Sequence, residues 1–166
     1  MAPANRGRGE GLVVGLIAYA SVAVFYGVFD VFAARGPLYT VDLLGKSVFK
    51  GLRDAAVLQY PIQPDFTGIF WYNALHLVLS LLIGLVVVAL VDEVERRPER
   101  RGAVLLVIVL GFVVTILGVG FLTEPMRPLL PWWSIVVANA LATTMAGAFL
   151  LRRRPRLWGR LVPIPG

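Results

Sequence analysis

Four long apolar stretches constrain this chain more than any other feature of its sequence. A helix needs about 20 mostly apolar residues to cross the roughly 30 Å hydrocarbon core of a bilayer. Strands are a poor alternative, because their unpaired backbone groups would go unsatisfied in lipid. The sequence therefore predicts an all-α integral membrane protein, a four-transmembrane-helix bundle, with residues 1–166 in a single membrane domain. The predicted spans are residues 11–32, 70–91, 103–122 and 129–151.

Composition supports the same class and excludes others. Of the 166 residues, 58% are hydrophobic and 16% are charged, which is too apolar for a soluble domain of this size. The net charge of +6 in such a chain favours contact with anionic headgroups rather than with nucleic acid. The chain has no cysteine, which excludes disulfides, iron–sulfur clusters and thiolate metal sites. We expect the lipid bilayer as a partner and no nucleic acid.

The arginines predict an orientation. Arg6 and Arg8 precede the first span, four arginines lie at 96–101 between the second and third spans, and "RRRPR" follows the fourth. The positive-inside rule places all three groups, and so both termini, on the cytoplasmic side. The first stretch exceeds the 7 to 15 apolar residues of a cleaved signal peptide, so we interpret it as a retained span. The excess of arginine over lysine, 14 to 2, favours a bacterial cytoplasmic (inner) membrane.

The loop at 33–69 lies on the opposite side and contains a predicted amphipathic helix at 40–58. Its apolar residues recur at helical spacing, and most of its charged residues fall on other faces. Such a helix is suited to the membrane interface. It could equally cover the end of the bundle or dock a neighbouring subunit. The apolar positions are Val41, Leu44, Val48, Leu52 and Ala55.

Small and polar residues recur along one face of each span, as expected where helices approach closely in lipid. Gly11 and Gly15 also fit the G-x-x-x-G spacing of a helix contact. We expect all of these faces to point into the bundle. They comprise Gly15, Tyr19, Tyr26 and Asp30 in the first span, Asn73, His76, Ser80 and Gly84 in the second, Gly111, Thr115 and Gly118 in the third, and Asn139, Thr143 and Gly147 in the fourth.

The candidate site is centred on the only histidine in the chain. His76 lies about six residues in from the outer end of its span, or roughly 9 Å at the rise of a helix. Ionisable residues at this depth are costly and tend to be paired or functional. We expect Asp30, or the hydroxyl of Tyr26, to pair with His76. The candidate residues are His76, Tyr26, Asp30, Asn73 and Asn139.

Two interpretations of these residues differ in function. In the first, they form hydrogen bonds between helices and bind nothing. In the second, His76 ligates a haem, hydrogen-bonds a quinone or passes a proton with Asp30. A single histidine excludes a bis-histidine haem within one chain, and we predict no metal site. Sequence motifs of metalloproteases, serine hydrolases and P-loop enzymes are absent, so the chain is not predicted to be an enzyme.

The sequence favours a structural role, as an accessory or assembly subunit of a larger membrane complex. The chain is small, has no catalytic constellation and carries its distinctive helix where a partner could dock. Other membrane subunits are therefore the expected protein partners. The alternative is a redox or proton-handling protein with a quinone or haem site near His76. An oligomeric channel or carrier would need a continuous polar path, which the cytoplasmic half of the spans does not provide.

Overall fold

A computed structural model describes residues 3–155, 157 and 159, and the side chains of these residues from Gly7 onward. The side chain of Arg6 and the whole of Arg156, both part of the predicted arginine groups, lie outside this description, as do residues 158 and 160–166. Five α-helices make up this part of the chain, and it contains no strand. The helices are α1 (Pro3–Phe32), α2 (Tyr39–Lys50), α3 (Phe66–Arg96), α4 (Arg101–Leu122) and α5 (Trp132–Arg153). Short 3-10 turns, Pro98–Arg100 and Glu124–Met126, flank α4.

The prediction of four long apolar helices is confirmed. Helical segments Gly7–Phe32, Phe66–Arg96, Pro98–Leu122 and Trp132–Arg153 are long and apolar enough to cross a membrane. Helix α3 begins before the predicted residue 70 and runs past residue 91. The last helix begins at Trp132 rather than at residue 129, because Pro131 is extended (φ −61°, ψ 138°) and immediately precedes its first turn.

Helix α1 is central and packs against both α3 and α5. It meets α3 at three glycines, Gly11, Gly15 and Gly84, where the two backbones touch. A Cβ added at Gly15 would lie 2.6 Å from the Cα of Leu81 and 2.6 Å from the carbonyl oxygen of Ser80. Only residues without a side chain allow this approach, so the contact predicted from the G-x-x-x-G spacing is confirmed.

Helix α4 lies at the periphery, so the predicted inward face of the third span is wrong. Gly111 and Gly118 are exposed, and a Cβ at either would meet no atom within 4 Å. The Thr115 hydroxyl donates to the carbonyl of Gly111 in its own helix. Large apolar side chains such as Val114 (65% exposed) and Phe121 (81%) face outward. An apolar helix in lipid needs no polar face, so hydropathy alone does not define its inward side.

Helix α2 is shorter than predicted, because it ends at Lys50 instead of residue 58. Gly51 closes it in the left-handed conformation (φ 67°), which suits glycine, and its N–H donates to the carbonyl of Lys46. The face turned to the protein includes Asp42 and Lys46, which are both buried. Val48 and Leu52 of the predicted apolar stripe are instead 50% and 42% exposed.

An apolar cluster joins α2 to the ends of α1, α3 and α5. Its best-buried members come from α2, from the loops on either side of the bundle end, and from the start of α5. The crossing of α2 and α3 is close, since a Cβ at Gly45 would lie 2.6 Å from the carbonyl carbon of Gly68. Helix α2 and the loop that follows it thus form a cap on this end of the bundle. The buried members are Tyr39, Leu43, Leu44, Leu58, Met126, Leu129, Leu130 and Ile135.

Candidate functional site

Asp30 connects α1 to the start of α2. Its carboxylate is 1% exposed and accepts two hydrogen bonds from Thr40, one from the backbone N–H and one from the hydroxyl, both at 2.7 Å. The first N–H groups of a helix have no partner within it, and the positive end of the helix dipole favours an anion there. Asp30 therefore acts as a cap for α2, supplied by the preceding helix.

Tyr26 connects α1 to α5. Its hydroxyl lies 3.5 Å from the hydroxyl of Ser134, which in turn donates to the carbonyl of Pro131 at 2.7 Å. Ser134 is fully buried in the first turn of α5. The Tyr26 side chain thus lies against the α5 start, where backbone groups lack intrahelical partners.

Asn73 connects α3 to α1. Its side-chain oxygen accepts a hydrogen bond of 3.0 Å from the hydroxyl of Tyr19, and its amide nitrogen donates to the carbonyl of Ile69 at 2.9 Å. Both ends of the amide are therefore used within the chain. This is the interhelical hydrogen bonding that the first interpretation of the sequence predicts.

His76 does not form the predicted pair with Asp30 or Tyr26. Its imidazole lies between two tyrosine rings, with centroids at 5.2 Å from Tyr19 and 6.2 Å from Tyr72. It makes no hydrogen bond with any residue that the structure describes. The expected pairing is wrong because Asp30 lies at the end of α1 and is taken by Thr40 of α2.

Asn139 is not joined by a hydrogen bond to the other candidate residues. Its side-chain nitrogen donates to the carbonyl of Ile135, one turn earlier in α5, at 2.8 Å. The buried face of α5 consists of Ser134, Ile135, Ala138, Ala142 and Leu150. Thr143 is exposed, and a Cβ at Gly147 would meet nothing within 4 Å, so the predicted inward face of this helix is rotated.

The cap contains an ionic network that the sequence analysis missed. Lys46 donates to Asp42 at 2.5 Å and to the carbonyl of Gln63 at 2.6 Å, while Asp42 also accepts from the N–H of Asp65 at 2.9 Å. Lys50 lies 2.7 Å from the carboxylate of Asp65, and its hydrogen bond lowers the pKa of Asp65 below the ordinary value. The i,i+4 spacing of Asp42 and Lys46 is a signal that could have indicated this pair.

A second ionic cluster, also missed, lies at the opposite end of the bundle. Arg154, just past α5, contacts the carboxylates of Glu10 in α1 and of Asp92 and Glu95 in α3. The distances to Asp92 and Glu95 are 2.5 and 2.9 Å. Although burial opposes the charged form, hydrogen bonds to Glu10 and Asp92 raise the pKa of Arg154 above its ordinary value. One arginine thus joins three helices.

Three of the candidate residues, Asp30, Tyr26 and Asn73, contact other helices, whereas the Asn139 amide donates to its own helix. Among the described residues, no group of three or more His, Asp and Glu side chains is arranged to hold a metal. A shallow groove of about 400 Å³ lies on α1 and is entirely apolar. Its lining residues are Val24, Gly27, Val28, Val31 and Phe32.

No protein-family model, curated protein sequence or solved structure matches the chain.

Proposed function

We propose that the protein is a multi-pass membrane protein of a bacterial cytoplasmic membrane, with both termini on the cytoplasmic side. The four apolar helices support membrane insertion. The exposed arginines at one end and exposed Phe70, Trp71, Trp132 and Trp133 at the other support the orientation. The cap then lies on the outer side, with Val48 of α2 and Leu52 of the following loop turned toward the interface.

Within that membrane the protein acts as an accessory or assembly subunit of a larger complex. The observation that carries this proposal is that polar side chains of the helices contact other parts of the same chain. Asp30 caps α2, Tyr26 lies against Ser134, and Asn73 accepts from Tyr19, so each serves to fix one part of this chain to another. Such side chains favour a rigid scaffold over a reaction centre.

Purification from the native membrane tests this role. A tagged chain, extracted in a mild detergent and run on a native gel, is expected to migrate with other membrane subunits at a fixed stoichiometry. A monomer with no companion, under conditions that keep known complexes of the same membrane intact, would contradict the proposal. A chain that fails to extract intact is distinguished by its circular dichroism, which must show the helical content of the fold.

Orientation is tested separately with single cysteines, because the chain contains none of its own. Arg53 in the cap and Glu99 in the turn before α4 are both exposed, whereas the side chain of Ser47 is buried and unsuitable for labelling. A membrane-impermeant maleimide added to whole spheroplasts is expected to label Arg53→Cys and not Glu99→Cys. Labelling of both from the same side would refute the even number of spans.

One observation favours the alternative, a redox or proton-handling protein with a quinone or haem near His76. The imidazole lies between Tyr19 and Tyr72 and has no hydrogen-bond partner in the described chain, so its nitrogens are available to a ligand. The test is an absorbance spectrum and a quinone extraction of the purified protein. A pigment or quinone near one per chain, lost in His76→Ala but kept in Asn139→Ala, would favour this alternative over the accessory role.

A further inference from the structure

One end of the bundle carries exposed arginines from four different helices. Arg8 belongs to α1, Arg96 to α3 and Arg101 to α4, while Arg152 and Arg153 close α5. These helix ends share one side of the molecule, because Arg154 joins the first and third helices to the end of α5 and a 3-10 turn links α3 to α4. These five residues are called the arginine rim.

The positive charge of the arginine rim is not neutralised by the side chains around it. None of its members forms an ion pair with a described residue. The guanidinium of Arg153 instead lies 5.6 Å from the ring centroid of Phe149. Exposed, unpaired guanidinium groups on several adjoining helix ends create a local excess of positive potential.

The neighbouring carboxylates contact arginines outside the rim. Glu10, Asp92 and Glu95 all contact the poorly exposed Arg154. Glu93 is shared by Arg97 and Arg100, at 3.8 and 2.7 Å. Charge is therefore separated: most of the acidic groups at this end are engaged by other arginines, and the rim is left facing outward.

Apolar surface continues directly from the rim along the helices. Leu12, Leu106 and Met145 lie between the rim and the middle of their helices and are 43%, 58% and 51% exposed. A ligand that fits both surfaces carries an anionic head and apolar chains. Nucleic acid or free phosphate would match the arginines alone and leave the apolar strip uncovered.

We infer that the arginine rim binds the headgroups of anionic phospholipids, whose acyl chains lie along the exposed apolar side chains below it. The inference rests on the membrane placement proposed above. Guanidinium groups are suited to phosphate because they donate two parallel hydrogen bonds and keep their charge at all relevant pH values. Each arginine near an anionic surface changes the association constant by about fivefold at low salt.

The test is the lipid preference of the full chain in phosphatidylcholine vesicles, measured with spin-labelled lipids by electron paramagnetic resonance. Wild-type protein is expected to associate several-fold more strongly with phosphatidylglycerol than with phosphatidylcholine. Arg152→Gln with Arg153→Gln is expected to lose most of that preference. Raising the salt concentration weakens it in the wild type, because exposed charges are screened.

The matched control removes two exposed arginines from the other end, Arg53→Gln with Arg127→Gln. Asp54 directly follows Arg53, and Glu124 lies three residues before Arg127, so a smaller loss of lipid preference is expected. Equal association of both lipids with the wild type, or an equal loss in the control, would overturn the inference. So would displacement of phosphatidylglycerol by millimolar inorganic phosphate, which would indicate a phosphate site instead. The measurement uses only this chain, so its failure is separate from a failure to find partner subunits.

Discussion

The backbone contact between α1 and α3 gives the sharpest prediction. Gly84 lies against Gly11 and Gly15, and its replacement by alanine adds a single methyl group where no side chain can move aside. The new Cβ would contact the carbonyl oxygen of Gly11 and would lie 2.5 Å from the Gly15 nitrogen, whereas ordinary contacts begin near 3.4 Å. The two helices must therefore separate locally by roughly 0.9 Å.

A gap of 0.5 to 1 Å loses about a quarter to a half of each dispersion contact along the interface, and overpacking typically costs about 1 to 3 kcal/mol. Gly84→Ala is therefore expected to lower the free energy of unfolding by about 1 to 3 kcal/mol relative to a glycine replaced in open space. Gly118→Ala is that reference, because a Cβ there meets no atom within 4 Å. Gly118→Ala changes only the helix propensity of that position, which favours alanine over glycine by at most about 1 kcal/mol.

Reversible unfolding in mixed detergent micelles, followed by circular dichroism, measures the difference. The predicted order of stability is Gly118→Ala above wild type above Gly84→Ala. A Gly84→Ala variant that is no less stable than the wild type would refute the direct backbone contact. A loss in Gly118→Ala as large as that in Gly84→Ala would instead show that α4 packs more closely than its exposure indicates.

Three further predictions concern the ionic groups. Arg154→Gln removes the cation that contacts Glu10, Asp92 and Glu95 and should cost about 2 kcal/mol or more, whereas Arg154→Lys should restore part of this in the same unfolding assay. Asp30→Ala should cost about 1 to 3 kcal/mol, because the buried N–H and hydroxyl of Thr40 lose their acceptor, and Asp30→Asn should cost less. The pKa of Asp65 is lowered, so its ionised carboxylate stabilises the fold fully above the ordinary pKa of 3.8, and this stabilisation is lost as the pH falls through the pKa of the folded state. Lys50→Gln should reduce this acid sensitivity, as measured by unfolding midpoints over a range of pH values.

The four long apolar helices were predictable because hydropathy and length are local properties of the sequence. The glycine contact could also be predicted, since Gly11 and Gly15 have the G-x-x-x-G spacing that lets two helices approach closely. The inward faces of α4 and α5 could not be predicted from the sequence. A lipid-facing helix surface tolerates glycine and threonine whose hydroxyl bonds to its own backbone, as Thr115 does, so these residues do not mark an interface.

The partners of the candidate residues depended on the position of α2. The sequence pairs Asp30 with His76, but in the fold α2 lies across the end of α1 and its Thr40 donates both hydrogen bonds to Asp30. The end of α2 was also misjudged. The helical spacing of apolar residues continues past Gly51, but Gly51 adopts the left-handed conformation that ends the helix. The Asn73 amide, by contrast, joins two long spans and serves the bonding role expected of it.

The Arg154 cluster has a consequence for biogenesis. In chain order, Glu10, Asp92 and Glu95 are all synthesised before Arg154, so the contacts that join α1 and α3 to the end of α5 form only after the last helix has been made. The glycine contact between α1 and α3 needs no later residue, so the Arg154 cluster fixes the last helix to a pair of helices that can assemble without it.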